Sequence, residues 1–311
     1  MSRPLVSVVV PVFNGADFLP AALDHVLGQT HRPLQVIVVD DGSTDGTADV
    51  LERYGEQIEV LRQNNRGVGH ARNAGIAAAR GDYVAFLDQD DWWVPAKLAR
   101  QVECFEQDAG VGLVHTGVEY FAEATHEFTS PLNPLARPEL LQGNCFRRLL
   151  EENHVRNSSV MVRRRLLAEA GACDQAISGN TVQDYDLWLR LARISRFVYI
   201  PEPLTVIRLH PHQGTWDRRQ MLGEEARLLE RLRDQEPSLA PDMRRRMAGL
   251  YDSLGVAHLD AGEARLARSA FARSLGERFT PRGALLYLAT LLPSQVRESL
   301  RQGQRSAGVA L

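Results

Sequence analysis

"LQVIVVDDGSTDGT" (residues 34–47) drives a β-branched run straight into three acids, two glycines and three hydroxyl residues. Further along, "YVAFLDQDDWW" (83–93) does much the same with Asp88, Asp90 and Asp91. A near-continuous β-branched run is the mark of a strand covered on both faces, and "LVSVVV" (5–10) is another. Between residues 5–10 and 34–39, "ADFLPAALDHVLGQ" sets Phe18, Leu19, Ala22, Leu23, Val26 and Leu27 at helical spacing, with Asn14 or Asp17 as its cap. Strand–helix–strand over that length is a βαβ unit, parallel and right-handed. The pattern repeats through "TADVLERYG" (helix), "IEVLRQ" (strand), "GHARNAGIAAAR" (helix, stopped by Gly81) and "YVAFLD" (strand). Strands alternating with helices in this way predict an α/β domain.

The chain has 311 residues, 44% apolar and 24% charged, enough for one large α/β domain with a smaller appendage. A net charge of −3 excludes a polycation built for nucleic acid. From Trp216 onward 16 Arg face 12 acids, net +4, which leaves −7 on residues 1–215. Lys97 is the only lysine, which we read as genome composition bias. Cys104, Cys145 and Cys173 form neither a C-x-x-C pair nor an even framework, as expected of buried thiols in a reducing compartment. No run approaches the roughly 20 apolar residues that span a bilayer, and the N-terminal run is too short for a signal peptide. The expected location is the cytoplasm, where Asn157-Ser158-Ser159 is no glycosylation site.

In the middle, "VGLVHTGVEYF" (111–121) predicts a strand, and "TSPLNPLARPEL" (129–140) a loop broken by prolines. "NSSVMVRR" predicts a strand leading into the helix "RRLLAEAG", and "DYDLWLRLARI" (184–194) an amphipathic helix. "FVYIPEPLTVIRLHP" carries two prolines and therefore predicts an edge strand. From 216 onward the pattern is helical, and Leu254, Gly255, Ala267, Phe271 and Pro281 match one helix-hairpin repeat.

In an open parallel sheet, ligands bind beyond the carboxyl ends of the strands. Asp40 and Asp41 end one strand; Asp88, Asp90 and Asp91 end another. Carboxylates held together cost several kcal/mol (roughly, at low dielectric) unless neutralised, and hard oxygens favour Mg²⁺ or Mn²⁺ completed by substrate phosphates. Ser43, Thr44 and Asp45 read as an Asx turn and helix cap.

"SVVVPVFNGADFLPAALDHVLGQT", "QVIVVDDGSTDGT", "N-x-G-x-x-x-ARN-x-G", "GDYVAFLDQDDWW" and "QDYDLWLRLA", in this order over residues 5–212, resemble the family 2 glycosyltransferases. The resemblance implies the GT-A fold, a mainly parallel sheet flanked by helices, over residues 1–215, while the helical pattern itself predicts an all-α extension over 216–311. It further implies bound Mn²⁺ or Mg²⁺ and inverting transfer from a nucleotide-sugar donor, UDP- or dTDP-linked, to an acceptor hydroxyl of a saccharide or lipid-linked glycoconjugate. Carried over residue by residue, Pro11 and Asn14 line the base pocket, and Asp40 or Asp41 accepts a hydrogen bond from base or ribose. Arg72 reaches base or phosphates, or is a solvated helix-face arginine. Asp88-Gln89-Asp90 matches the D-x-D motif, with Asp88 towards ribose and metal and Asp90 the more direct metal ligand. Asp91 is an alternative helix cap. Asp184 holds the place of the catalytic base in a motif usually written E-D, with Gln183 here as its departure; Asp184 as a plain helix cap, and Asp186 as base, are the other readings. His210, in preference to His212, stands near diphosphate or metal, and Arg208 pairs with phosphate. Arg163-Arg164-Arg165 reads as a solvated helix start, one of Trp92 and Trp93 as buried, and Trp188 as core.

Two rivals stand against this. A sugar nucleotidyltransferase opens with a Gly-rich basic loop after the first strand, where "PVFNGADFL" has one glycine and no base. A catalytically silent nucleotide-sugar-binding protein would act through its C-terminal helices, against which the acids at 88, 90 and 184 argue. "RGALLYLATLLPSQVR" (282–297), amphipathic and Arg-flanked, suits a helical cap, a homodimer contact, or peripheral contact with anionic lipid at the inner face of the membrane.

Overall fold

The computed structural model describes residues 3–129, 141–174, 182–211 and 218–292. The predicted proline-broken loop, His212 and the end of the amphipathic stretch lie outside these residues. The chain divides into two compact units, Met1–Gly214 and Thr215–Leu311.

The first unit is built on one nine-stranded mixed sheet. β1 (Val6–Val12), β2 (Leu34–Asp40), β3 (Glu59–Arg62) and β4 (Tyr83–Phe86) are parallel, in the order β3-β2-β1-β4. They alternate with α1 (Leu19–Leu27), α2 (Thr47–Tyr54) and α3 (Val68–Ala78), as the apolar spacing predicts. β1 is buried along its whole length, which is why its sequence shows no alternation. Gly75 makes the cover possible, since a Cβ there would stand 2.3 Å from Val9 Cγ1 of β1. The α3 backbone therefore rides directly on the sheet.

Beyond β4 the sheet continues through β8 (Met161–Arg163), β6 (Val111–Ala122) and β9 (Arg196–Leu209) to β5 (Trp92–Trp93), with β7 (Glu127–Thr129) on β6. α4 (Lys97–Gln107), α5 (Phe146–Glu151), α6 (Arg164–Ala170) and α7 (Gln183–Ile194) complete the unit. The prolines of β9 predicted an edge, but β9 lies between β6 and the two-residue β5. Pro201 and Pro203 fall where the register with β6 slips around Gly117, so the missing donors are absorbed by a bulge.

Capping differs from the expectation. Phe18 stands at the N-cap of α1 without a side-chain cap bond, and α4 begins at Lys97, so neither Asn14, Asp17 nor Asp91 caps these helices. Arg164 and Arg165 are exposed as expected of a solvated helix start, but Arg163 is half-buried. Arg163 donates to the carbonyls of Val111 and Phe105, and Arg164 to that of Gly81.

In the second unit α8 (Arg218–Gln235), α9 (Ala240–Asp260), α10 (Ala264–Glu277) and α11 (Pro281–Ala289) follow in sequence. The hairpin of α9 and α10 closes where Gly255 meets the Phe271 ring, 2.5 Å from where a Cβ would sit.

Lys97 is fully buried, with Nζ 2.9 Å from Gln101 Oε1 and 3.9 Å from the centre of the Trp93 ring. Burial holds its amine well below the ordinary lysine range. A group so depressed stabilises the fold above its unfolded pKa and loses that contribution as pH falls. Lys97→Met removes the dependence. Its denaturation midpoint is expected to match wild type near pH 10 and to exceed it progressively on titration down to pH 6, followed by urea unfolding.

Candidate functional site

β1 is flanked by β2 and β4, so the loops after all three emerge along one edge of the sheet. Val12 of β1 is level with Asp40, and Val9 with Phe86. The buried Pro11 sits in β1 just before this edge. The hydroxyl-rich stretch stitches the loops together. Asn14, in the left-handed region at φ 49°, donates its N–H to Ser43 Oγ and accepts at Oδ1 from Thr44 N–H. Gly15 N–H bonds Thr47 Oγ1, and Ala16 N–H bonds Asp45 Oδ2. On the other side, Phe13 N–H donates to Gln89 Oε1 at 2.9 Å, so the middle residue of D-x-D fastens β1 to the acid loop.

The two acids closing β2 do different work. Asp40 is buried, accepts from Ser43 N–H at 2.9 Å and lies 4.0 Å from the exposed Arg62. Asp41 takes three donors, Gln63 Nε2 at 2.7 Å, Arg66 N–H at 2.9 Å and Gly67 N–H at 2.8 Å. It therefore fastens the loop entering α3, and of the pair it is Asp40 that keeps the lighter protein contacts.

Arg72 is no solvated arginine. It is buried on α3 and donates through Nη2 to Asp88 Oδ1 at 2.9 Å. Burial would depress its guanidinium, but Asp88 and Asp184 more than offset that and raise it. Asp184 lies in the first turn of α7, not at its cap, where the helix dipole favours a carboxylate. Burial pushes its carboxyl above the usual range, Arg72 pulls it back, and Asp88 adds to the rise. Gln183 beside it packs against α3, because a Cβ on Gly69 would stand 2.0 Å from Gln183 Oε1. Asp186 pairs instead with Arg190, Nε to Oδ2 at 2.9 Å, and Arg190 reaches the Ala172 carbonyl two residues beyond α6.

Asp90 faces His210, whose Nε2 is 3.0 Å from Asp90 Oδ2 and whose ring packs 4.3 Å from that of Phe18. Burial and then Asp88 raise the Asp90 carboxyl. Asp91 is buried, accepting from Ser158 Oγ at 2.5 Å and from Arg208 N–H at 3.1 Å. Arg208, expected on phosphate, gives Nη1 to Glu123 at 2.5 Å and lies over the rings of Trp92, Phe18 and Phe121. Trp93 is buried and donates to the Ser158 carbonyl at 2.7 Å; Trp188 is core.

Reading the sequence missed Asn157 and Ser158. Asn157 Nδ2 donates to Asp88 Oδ1 at 2.9 Å, and Ser158 Oγ accepts from Asp88 N–H at 3.1 Å. Only their place before a strand could have marked them.

Among the described residues no group of three or more His, Cys, Asp or Glu side chains stands ready as a metal cage. Asp88 and Asp90 are hard-oxygen donors whose mutual repulsion is incompletely offset. Such a pair suits Mg²⁺ or Mn²⁺, which take one or two protein carboxylates and complete the shell with phosphate.

A model of glycosyl transferase family 2 matches residues 7–171. An uncharacterized glycosyltransferase of Rickettsia typhi is 31% identical over 68% of this chain and 66% of its own length. A Bacillus subtilis protein provisionally named a teichuronic acid biosynthesis glycosyltransferase, TuaG, is 41% identical over 39% of this chain and 49% of its own. The chain thus spans at most about two thirds of these relatives. Among solved structures, a mannosyltransferase of Pyrobaculum calidifontis in complex with GDP-Man and Mn²⁺ aligns over 94% of this chain and 81% of its own, with TM-score 0.63 and 22% identity. Staphylococcus aureus TarS 1–349 in complex with UDP-GlcNAc aligns over 96% and 92%, with TM-score 0.58 and 16% identity. The shared architecture is the GT-A fold.

The unequal duties of the acids closing β2 are measurable. Asp41→Ala strands two backbone N–H groups and is expected to cost about 2–4 kcal/mol, against about 1 kcal/mol for Asp40→Ala. Urea denaturation of both variants checks the order.

Proposed function

The chain belongs to glycosyl transferase family 2, and from that premise we propose that residues 1–215 transfer a sugar from a nucleoside-diphosphate donor to an acceptor hydroxyl, with inversion. UDP- or dTDP-sugars are the favoured donors, and polysaccharide or another glycoconjugate is the product class. The observation that carries this is the arrangement of Arg72, Asp88 and Asp184 in one electrostatic group beside Asp90, at the carboxyl edge of the parallel strands.

Pro11, Asn14 and Asp40 serve the base and ribose; uracil and thymine offer an N3–H donor that a carboxylate accepts. Asp90, with Asp88 and with His210 behind it, would hold Mn²⁺ or Mg²⁺, which when bound offsets charge on the departing diphosphate. Arg72 fixes Asp88. Asp184 is the base. The acceptor oxygen bonds the anomeric carbon, the bond from that carbon to the diphosphate oxygen breaks, and the acceptor proton passes to the Asp184 carboxylate. Its raised proton affinity suits that task.

Asp90→Asn and Asp184→Asn are each expected to lower transfer at least about a hundredfold. The first should lose Mn²⁺-dependent nucleotide binding and the second keep it, as read by calorimetry and a hydrolysis screen over UDP-, dTDP- and GDP-sugars. Near-normal transfer by Asp184→Asn overturns the base, and release of pyrophosphate would mark a nucleotidyltransferase instead.

The helices after 216 are proposed to rest on an anionic lipid surface. No helix among the described residues is long and apolar enough to cross a membrane. Phe279 is 73% exposed and Leu285 69%, with Leu288 and Leu291 exposed beyond them and the exposed Arg278 and Arg282 alongside. That pairing of apolar area with positive charge complements acidic headgroups. The protein should float with phosphatidylglycerol vesicles but not with phosphatidylcholine ones, and Leu285→Asp/Leu288→Asp should abolish flotation. Dimer loss in that variant without any flotation by wild type would assign the face to a second copy.

A further inference from the structure

Asn157-Ser158-Ser159 forms a tight 3-10 turn beneath the acid loop that follows β4. The turn is itself anchored. Trp93 Nε1 donates to the Ser158 carbonyl at 2.7 Å, Gln101 Nε2 to that of Ser159 at 2.9 Å, and Ser159 N–H returns to the Arg156 carbonyl at 2.9 Å. From this fixed base two side chains reach upward. Ser158 Oγ accepts from Asp88 N–H and donates to Asp91 Oδ2, filling both roles of the hydroxyl and setting the span between the two acids. Asn157 Nδ2 donates to Asp88 Oδ1, the same oxygen that takes Arg72 Nη2.

A carboxylate turning about its terminal torsion can present either oxygen. Two donors on Oδ1, one of them cationic and buried, remove that freedom. Among the described residues no donor reaches Asp88 Oδ2. The cost falls on Asn157 itself, which is 7% exposed and keeps its Oδ1 buried with no hydrogen-bond partner among the described residues. An apolar residue of similar size would serve packing better, because it strands no acceptor. A side chain unfavourable for packing and bonded to a site carboxylate points to the site.

We propose that Asn157 is a positioning residue for the donor: by sharing Asp88 Oδ1 with Arg72, it dedicates Oδ2 to the metal–nucleotide side of the crevice. This rests on the donor-binding function proposed above.

The test uses the near-isosteric Asn157→Leu, with Asn157→Ala as a second variant in case the first packs poorly, titrated in the full chain with UDP, dTDP and GDP, each with and without Mn²⁺. Affinity is read by calorimetry, free Mn²⁺ by electron paramagnetic resonance, and fold by circular dichroism and the thermal midpoint. Asn157→Leu is expected to keep or raise the midpoint and to leave metal-free nucleotide affinity unchanged. Mn²⁺-dependent affinity should fall about tenfold or more, the scale of a hydrogen bond to a charged group. Affinity within twofold of wild type in a folded variant overturns the positioning role alone. Failure of the wild type to bind any of the three nucleotides with Mn²⁺ overturns the donor-binding function, and this role with it.

Discussion

Arg72 against Asp88, at 2.9 Å and largely out of water, governs the carboxyl edge of the sheet. Asp88, Asp90 and Asp91 fall within four residues, with Asp184 close behind, and a folded chain cannot hold so much like charge without a fixed cation nearby. A lysine at position 72 could offer charge, but as a compact, strongly hydrated ammonium it would tolerate this burial less well than a guanidinium does. The guanidinium arrives there because two glycines let α3 approach: Gly75 puts the helix on Val9 of β1, and Gly69 admits the side chain of Gln183 from α7. Backbone proximity, buried charge and the candidate base are thus one linked constraint.

The hydroxyls and amides around the acids answer why strands end in such polar loops. The loop after β1 has few bonds of its own and is tied to its neighbours by Ser43, Thr44, Thr47 and Asp45 on one side and Gln89 on the other. Much of the loop polarity is therefore scaffold. Only a minority of the oxygens, on Asp40, Asp88, Asp90 and Asp184, are the ones proposed to meet a ligand.

How far the sequence could be read follows from the range of each interaction. Apolar periodicity is local, so β1 to β4, α1 to α3 and α7 lay where their spacing predicted them. The family motifs named the acids and Arg72 because those residues sit in short patterns. Cap assignments for Asn14, Asp17 and Asp91 failed where tertiary partners outbid the local helix start, as Thr44 does for Asn14 and Ser158 for Asp91. Asn157 was illegible: its partner lies 69 positions away, and nothing in N-S-S announces an upward-facing amide. Arg208 illustrates the converse, a cation placed by motif near phosphate but held by Glu123 and three aromatic rings.

The sealed amine under Trp93 has one more consequence. Every other basic side chain except histidine is a guanidinium, which neither titrates in the physiological range nor accepts an acyl group. Lysine acetylation, ubiquitin attachment and amine-directed labels therefore find their single side-chain target shut inside the fold. The arginine charge on this surface is permanent, tunable only by arginine-specific chemistry or by what binds to it.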